Sequence, residues 1–180
     1  MNCFIIPKQA ARLAVLQRIE LASPLLLKIR KLFGRYIFSN LITKYFLNAN
    51  LIGKRYYETM LNEFLTLEKF IEQNHKSILS IGAGLGGLEI IINQKFNDKT
   101  FFFIERNYVS KKVKYGWDSS NNEAYNDLKV QKEFLTLNQM DQKKINIFDY
   151  DHDILPEFKF DLVISLLSLD YHYDFQIYQN

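Results

Sequence analysis

Cysteine is nearly missing from this chain: its 180 residues contain one, Cys3. No intramolecular disulfide can form, so neither a cysteine-based zinc site nor a disulfide-stapled secreted fold is available. A reducing cytoplasm is the compartment that fits. Histidine is sparse too, and His75, His152 and His172 stand at no metal-ligand spacing, which argues against a metal centre. Long apolar runs are lacking. Leu21 to Leu27 and Tyr36 to Thr43 fall far short of the ~20 residues that cross a bilayer. Lys8 and Arg12 interrupt what would have to be the apolar core of a signal peptide, and no small-residue cleavage pattern follows, so export is not expected. Proline occurs three times and glycine seven times, and four of those glycines fall between positions 82 and 87.

What is present suffices for a core. Hydrophobic residues make up 48% of the chain, enough for one ordinary domain with a short appended segment, and a disordered chain is excluded. Fifteen Phe and eleven Tyr accompany abundant Ile, Lys and Asn, all with AT-rich codons, a pattern that reads as genomic composition before function. Charge is unevenly spread. Residues 1–60 carry ten Lys and Arg against Glu20 and Glu58, whereas the rest carry thirteen against eighteen acids. A leading segment mixing Lys28, Arg30, Lys31, Arg35 and Lys44 with Leu, Ile, Phe and Tyr suits an anionic membrane surface or a phosphorylated substrate. It equally suits a solvated helix face against an acidic neighbour. Nucleic acid is not expected, because no dense Lys/Arg run occurs.

Along the chain, Pro7 and Pro24 punctuate helical pieces, and Tyr57, Met60, Leu61, Phe64, Leu65, Phe70 and Ile71 recur at helical spacing. Ser77 to Ile81 is a short apolar run leading directly into Gly82-Ala83-Gly84-Leu85-Gly86-Gly87, after which Leu88, Ile91, Ile92 and Phe96 return to helical spacing. Thr100 to Ile104 predicts a second strand closed by Glu105. A helix with Val130, Phe134, Leu137 and Met140 on one face follows, then a third strand at Ile145 to Phe148 and a fourth at 161–167. This alternation predicts an α/β fold, a Rossmann-like doubly wound parallel sheet over residues 56–180, preceded by a basic helical segment over 1–55.

The glycine cluster makes sense where the backbone turns tightly and a ligand comes close. In such sheets the ligand sits beyond the carboxyl ends of the strands, where turn amides and the next helix N-terminus supply donors. Gly82, Ala83, Gly84, Gly86 and Gly87 are therefore candidate binding residues. Glu105 lies 23 residues after Gly82 and ends the second strand, where a carboxylate can accept both hydrogens of a ribose diol. Asp149, with Tyr150 beside it, ends the third strand, where it can accept from an adenine amino group. The plainer alternative is that Asp149, Asp151 and Asp153 form only a polar loop.

The runs ILSIGAGLGGLEI, FFFIERN, INIFDYD and FDLVISLLSLDYHY come in the order and spacing of the leading motifs of class I S-adenosylmethionine-dependent methyltransferases. Over about residues 56–175 the chain resembles that family, above all the sugar O-methyltransferases associated with surface-polysaccharide synthesis. The resemblance implies S-adenosyl-L-methionine as cofactor and a small-molecule or glycan acceptor. Gly82, Gly84 and Gly86 would then face the methionine part, Glu105 the ribose, and Asp149 with Tyr150 the adenine, with Ser165 of the fourth-strand motif a further cofactor-binding residue. Many members carry an acid where this chain has Ser80, so no amino-group ligand is assigned there. Methyl transfer to a hydroxyl benefits from a general base. His172 follows the fourth strand on the ligand side and is the candidate, with Asp170 to orient it or to serve itself, and Tyr171 and Tyr173 offer rings to a sugar.

Two rivals remain. Gly82, Gly84 and Gly87 also satisfy G-x-G-x-x-G, which with Glu105 suits an FAD or NAD fingerprint. A non-catalytic module binding a nucleotide or a protein is the other. The sheet also looks unfinished, since the family has further strands after the fourth. The chain is accordingly expected to be a fragment, or to cover its fourth-strand edge with a partner strand, a second copy or its own N-terminal helices.

Overall fold

Four short runs of mostly branched and aromatic residues pair in parallel: β1 (Ser77–Ile81), β2 (Thr100–Glu105), β3 (Ile145–Asp149) and β4 (Leu162–Ile164). The structure, a computed structural model, describes residues 3–110, 124–166 and 168. Strand order is β3-β2-β1-β4. The chain therefore builds outward from β1 through β2 to β3 and then returns to place β4 on the other side of β1. Open α/β sheets hold ligands outside the carboxyl ends of the strands where such a reversal occurs. Register matters here: Glu105 stands opposite Asp149, so the last residues of β2 and β3 bring two carboxyl groups to the same edge.

Helices precede and separate the strands. α1 (Lys8–Gln17) begins directly after Pro7, and α2 (Pro24–Ile37) starts with proline at its first position, where the missing N–H costs nothing. Ser23 Oγ accepts from the Leu26 N–H at 3.2 Å and completes that start. A π-helical turn (Phe38–Ile42) and the short α3 (Thr43–Tyr45) lead to α4 (Ala49–Leu67), capped by Asn48, whose side chain accepts from the Leu51 N–H. α5 (Gly87–Lys95) joins β1 to β2, and α6 (Leu128–Leu137), capped by Asp127, precedes β3.

The alternation of strand side chains creates two faces. Ile78, Phe101, Phe103 and Ile145 point into one large core that also contains Leu13 and Val15 of α1, Tyr56, Met60 and Phe64 of α4, Ile91 of α5 and Phe134 of α6. Leu79, Ile81 and Ile104 point the other way, against Phe102, Tyr150, Leu155 and Phe160. Helices on both faces were expected, but among the described residues they pack on one. The β3–β4 connection, residues 150–161, carries Pro156 and forms no helix. Phe158 and Phe160 instead meet Phe102 edge-on, each with ring centres 5.1 Å away.

Two element boundaries also differ from expectation. β4 spans three residues rather than 161–167, and α4 starts at Ala49, so residue 55 falls inside it. The change at residue 55 is thus one of charge, not of packing, because residues on both sides share one core. Phe134 shows how tightly: its ring meets Phe4 edge-on at 5.4 Å and stacks on Tyr56 at 5.9 Å, tying α6, the N-terminal residues and α4 together. Phe134→Ala should cost about 3–5 kcal/mol in a denaturant titration. Leu137→Ala, on the same helix but 40% exposed, should cost about 1 kcal/mol or less.

Candidate functional site

β1 ends at Ile81, and the Gly82 N–H extends the ladder once more by donating to the Ile104 carbonyl at 3.0 Å. The chain then turns three times through left-handed backbone, with φ of +65° at Gly82, +65° at Gly84 and +80° at Gly86. Residues with a Cβ adopt that region at a cost, which explains why these positions are glycine. The turn is two-sided. Gly82, Ala83 and Gly84 are half-buried, whereas Leu85, Gly86 and Gly87 are buried.

The buried half serves packing. A Cβ on Gly86 would press on Leu135 and Phe103, and one on Gly87 would press on Tyr56 and Met60. The Gly87 N–H donates to the Tyr56 hydroxyl at 3.2 Å. Both glycines were expected to admit a ligand, and here they admit neighbouring side chains of the core. The half-buried portion faces polar groups instead. A Cβ on Gly82 would collide with the Ser168 hydroxyl, and one on Gly84 with the Gln17 amide. Gly84 is held from three directions: its N–H donates to Glu105 Oε1 at 2.8 Å, its carbonyl accepts from Asn126 Nδ2 at 3.0 Å, and Gln17 lies over its α-carbon. Gln17 in turn donates to the Tyr125 carbonyl at 2.8 Å, and Asn126 Nδ2 also reaches Gln131 Oε1 at 3.2 Å.

Two carboxyl groups lie beneath this turn. Glu105 is 6% exposed, and burial pushes it up to about 8, with Glu89 adding to the rise and hydrogen bonds from Gly84, Asn126 and Ala83 opposing it. Glu89 is 2% exposed and stands in the first turn of α5. Its Oε1 accepts from the Ser80 hydroxyl at 2.6 Å, while Oε2 is buried with no hydrogen-bond partner among the described residues. Burial pushes Glu89 up to about 7 despite the Ser80 bond. An acid from the next helix thus lies directly against Ser80. Its sequence signal was a Glu three residues after Gly86, the N-cap of α5, the reach-back position of a capping box.

Asp149 is buried beside Glu105 in register but is engaged by its own turn. It accepts from the Asp151 N–H at 3.2 Å and from His152 Nδ1 at 3.0 Å. Burial raises the Asp149 carboxyl, and the hydrogen bonds from Asp151, His152 and Asn107 outweigh it, so the group is held below the usual carboxylate range. Asp153 accepts from the Asp149 N–H at 2.8 Å, and Asp151 pairs with Arg106 at 2.8 Å, the guanidinium lying 5.6 Å from the Tyr150 ring centre. Tyr150 itself packs on the second sheet face. Ser165 is half-buried just past β4, three residues before Ser168 at the turn. Asp170, Tyr171, His172 and Tyr173 lie outside the described residues.

Gln17, Tyr56, Asn126 and Ser168 were not anticipated as partners of the turn. They come from four separate segments, brought together by the packing of the helices and, for Ser168, by the pairing of β4 with β1. No protein-family model matches the chain, and no curated protein matches it.

The two buried acids set a pH dependence. Between the usual 4.5 and their folded values of about 7 and 8, Glu89 and Glu105 hold protons that the unfolded chain releases. Their contribution to stability is thus complete below about pH 4.5 and is lost as pH rises through 7 and 8. Stability should fall between pH 5 and 8, each group adding a slope of at most about 1.4 kcal/mol per pH unit. Glu105→Gln should flatten that slope in denaturant titrations at several pH values. An unchanged slope would show that Glu105 is ionised in the folded chain.

Proposed function

We propose that this chain is a Rossmann-like S-adenosyl-L-methionine-binding module of a methyltransferase acting on a sugar hydroxyl. The strand order with its reversal beside β1, the glycine turn after β1 and the acids ending β2 and β3 support the reading. The observation that carries it is the state of the α5 N-terminus. A bound diphosphate there needs open amides and positive potential. Here the Gly87 N–H is already taken by Tyr56, and the Glu89 carboxyl occupies the first turn of the helix. That setting repels phosphate and suits a cation. The FAD or NAD fingerprint uses its third glycine for close packing of helix on strand, whereas Gly87 packs on Tyr56 and Met60 of α4.

In this reading Ala83 and the half-buried side of the turn face the ligand, Gly84 fixes Glu105 through its N–H, the other Glu105 oxygen accepts from a ribose hydroxyl, and Asp149 takes the adenine edge with its remaining lone pairs. When bound, S-adenosyl-L-methionine supplies an electrophilic methyl group on a sulfonium. The chain's own task is alignment and exclusion of water. Gln17 covers the turn from above, and Glu89 and Glu105, which burial keeps largely protonated near neutral pH, would place negative charge below it on giving up their protons to a cation. We assign the proton acceptor to His172, oriented by Asp170, a role worth typically ~10²–10⁴-fold in rate.

Isothermal titration calorimetry should detect S-adenosylhomocysteine binding, weakened about tenfold or more by Gly84→Val or Glu105→Ala. The cationic S-adenosylmethionine should gain affinity more steeply than S-adenosylhomocysteine between pH 6 and 8, where Glu89 and Glu105 ionise. A yellow protein that binds FAD and neither sulfur nucleoside would overturn the assignment.

A further inference from the structure

The segment between the first helix and α4 leaves part of its apolar surface uncovered. Leu21, Phe38 and Leu47 are buried, and Leu26, Leu27 and Ile42 pack against the core. Arg12 further anchors the segment by donating to Thr43 Oγ1 at 3.3 Å. The opposite side of α2 is exposed. Leu25, Ile29, Leu32 and Phe33 fall on one helical stripe by their spacing; Ile29 is half-buried, and Leu25 is 67%, Leu32 78% and Phe33 54% exposed. Beyond the break at Gly34, where φ is +80° and the space around the α-carbon is open, Ile37, Leu41 and Tyr45 recur every fourth residue and are also exposed, as is Phe46 at 66%.

Cations surround this apolar surface. Lys28, Lys31 and Lys44 are exposed, and no Asp or Glu occurs between Glu20 and Glu58, an interval that holds seven Lys and Arg. We propose that this face of α2, the π-helical turn and α3 docks on an anionic phospholipid surface. The apolar side chains insert at the headgroup level while the lysines meet lipid phosphates, the arrangement by which basic amphipathic helices lie on membranes. Pairing of two copies through the same face would set Lys28, Lys31 and Lys44 of one against those of the other, from a stretch that itself contains no Asp or Glu. Nucleic acid would engage the lysines and leave Leu32, Phe33 and Phe46 in water. The lipid surface alone accounts for both the charge and the uncovered apolar side chains. Among the described residues no helix is long and apolar enough to cross a membrane, so the contact lies in the interface.

The test is co-flotation of the full 180-residue chain with vesicles of phosphatidylcholine alone or with roughly one third phosphatidylglycerol. The chain should float with the anionic vesicles only, and raising salt from about 0.05 to about 0.5 M should release it. Lys28→Glu with Lys31→Glu, and separately Leu32→Glu with Phe33→Glu, should each lower partitioning about tenfold or more, with an unchanged thermal midpoint because these side chains are exposed or at the break. Leu41→Ser gives an independent variant on the second half of the face and should weaken binding in the same direction. Absence of flotation at low salt, equal flotation with neutral vesicles, or wild-type binding by all three variants would overturn the proposal. So would a dimer in light scattering that Leu32→Glu with Phe33→Glu dissolves, since the face would then be covered by a second copy.

Discussion

The hydrogen bond from the Gly84 N–H to the Glu105 carboxyl is the constraint on which the rest of the site depends. It joins the turn after β1 to the last residue of β2, so the turn is fixed relative to the sheet edge rather than left as a surface loop. A bond of this kind to a buried acid is worth more than an exposed one, and its loss strands a polar group without water. The acid is held in a setting that burial and the nearby Glu89 make unfavourable for charge. Beneath the turn two acids are thus kept largely uncharged near neutral pH.

The N-terminal helices belong to the site as much as to the core. Tyr56 of α4 takes the first amide of α5 and stacks on Phe134, so one residue closes the helix N-terminus and anchors α6. Gln17, at the end of α1, covers Gly84 and reaches the carbonyl of Tyr125. The basic segment between these helices then has one side committed to packing and one side free to meet an external surface. If that surface is a membrane, the carboxyl edge of the sheet is attached to it through the same helices that close the turn.

The strands were legible in the sequence because each is a short apolar run bounded by an unmistakable stop: glycine after Ile81, Glu105 after Ile104, Asp149 after Phe148. β4 was read too long because Leu166 and Leu167 continue the apolar pattern beyond the three residues that pair with β1. The start of α4 was missed because Asn48 caps it without a neighbouring proline or glycine to mark the change. Within the turn, spacing could not separate Gly82 and Gly84 from Gly86 and Gly87. That division depends on which neighbour sits over each α-carbon, and Ser168, Gln17, Leu135 and Tyr56 arrive from distant parts of the chain. Glu89 was within reach, since its place three residues past a helix cap is a pattern of local chemistry, whereas its bond to Ser80 required the sheet and helix to be assembled.

In the proposed function the carboxyl group at the end of β2 is protonated near neutral pH and would yield its proton to a cationic ligand. Carbon-detected NMR of the chain labelled at the Glu side chains reads this directly. Glu105 should titrate near 8 in the free protein and move toward lower pH when S-adenosylmethionine is added. A Glu105 carboxyl that titrates at about 4.5, the ordinary value for a solvated glutamate, and does not respond to the ligand would contradict the account.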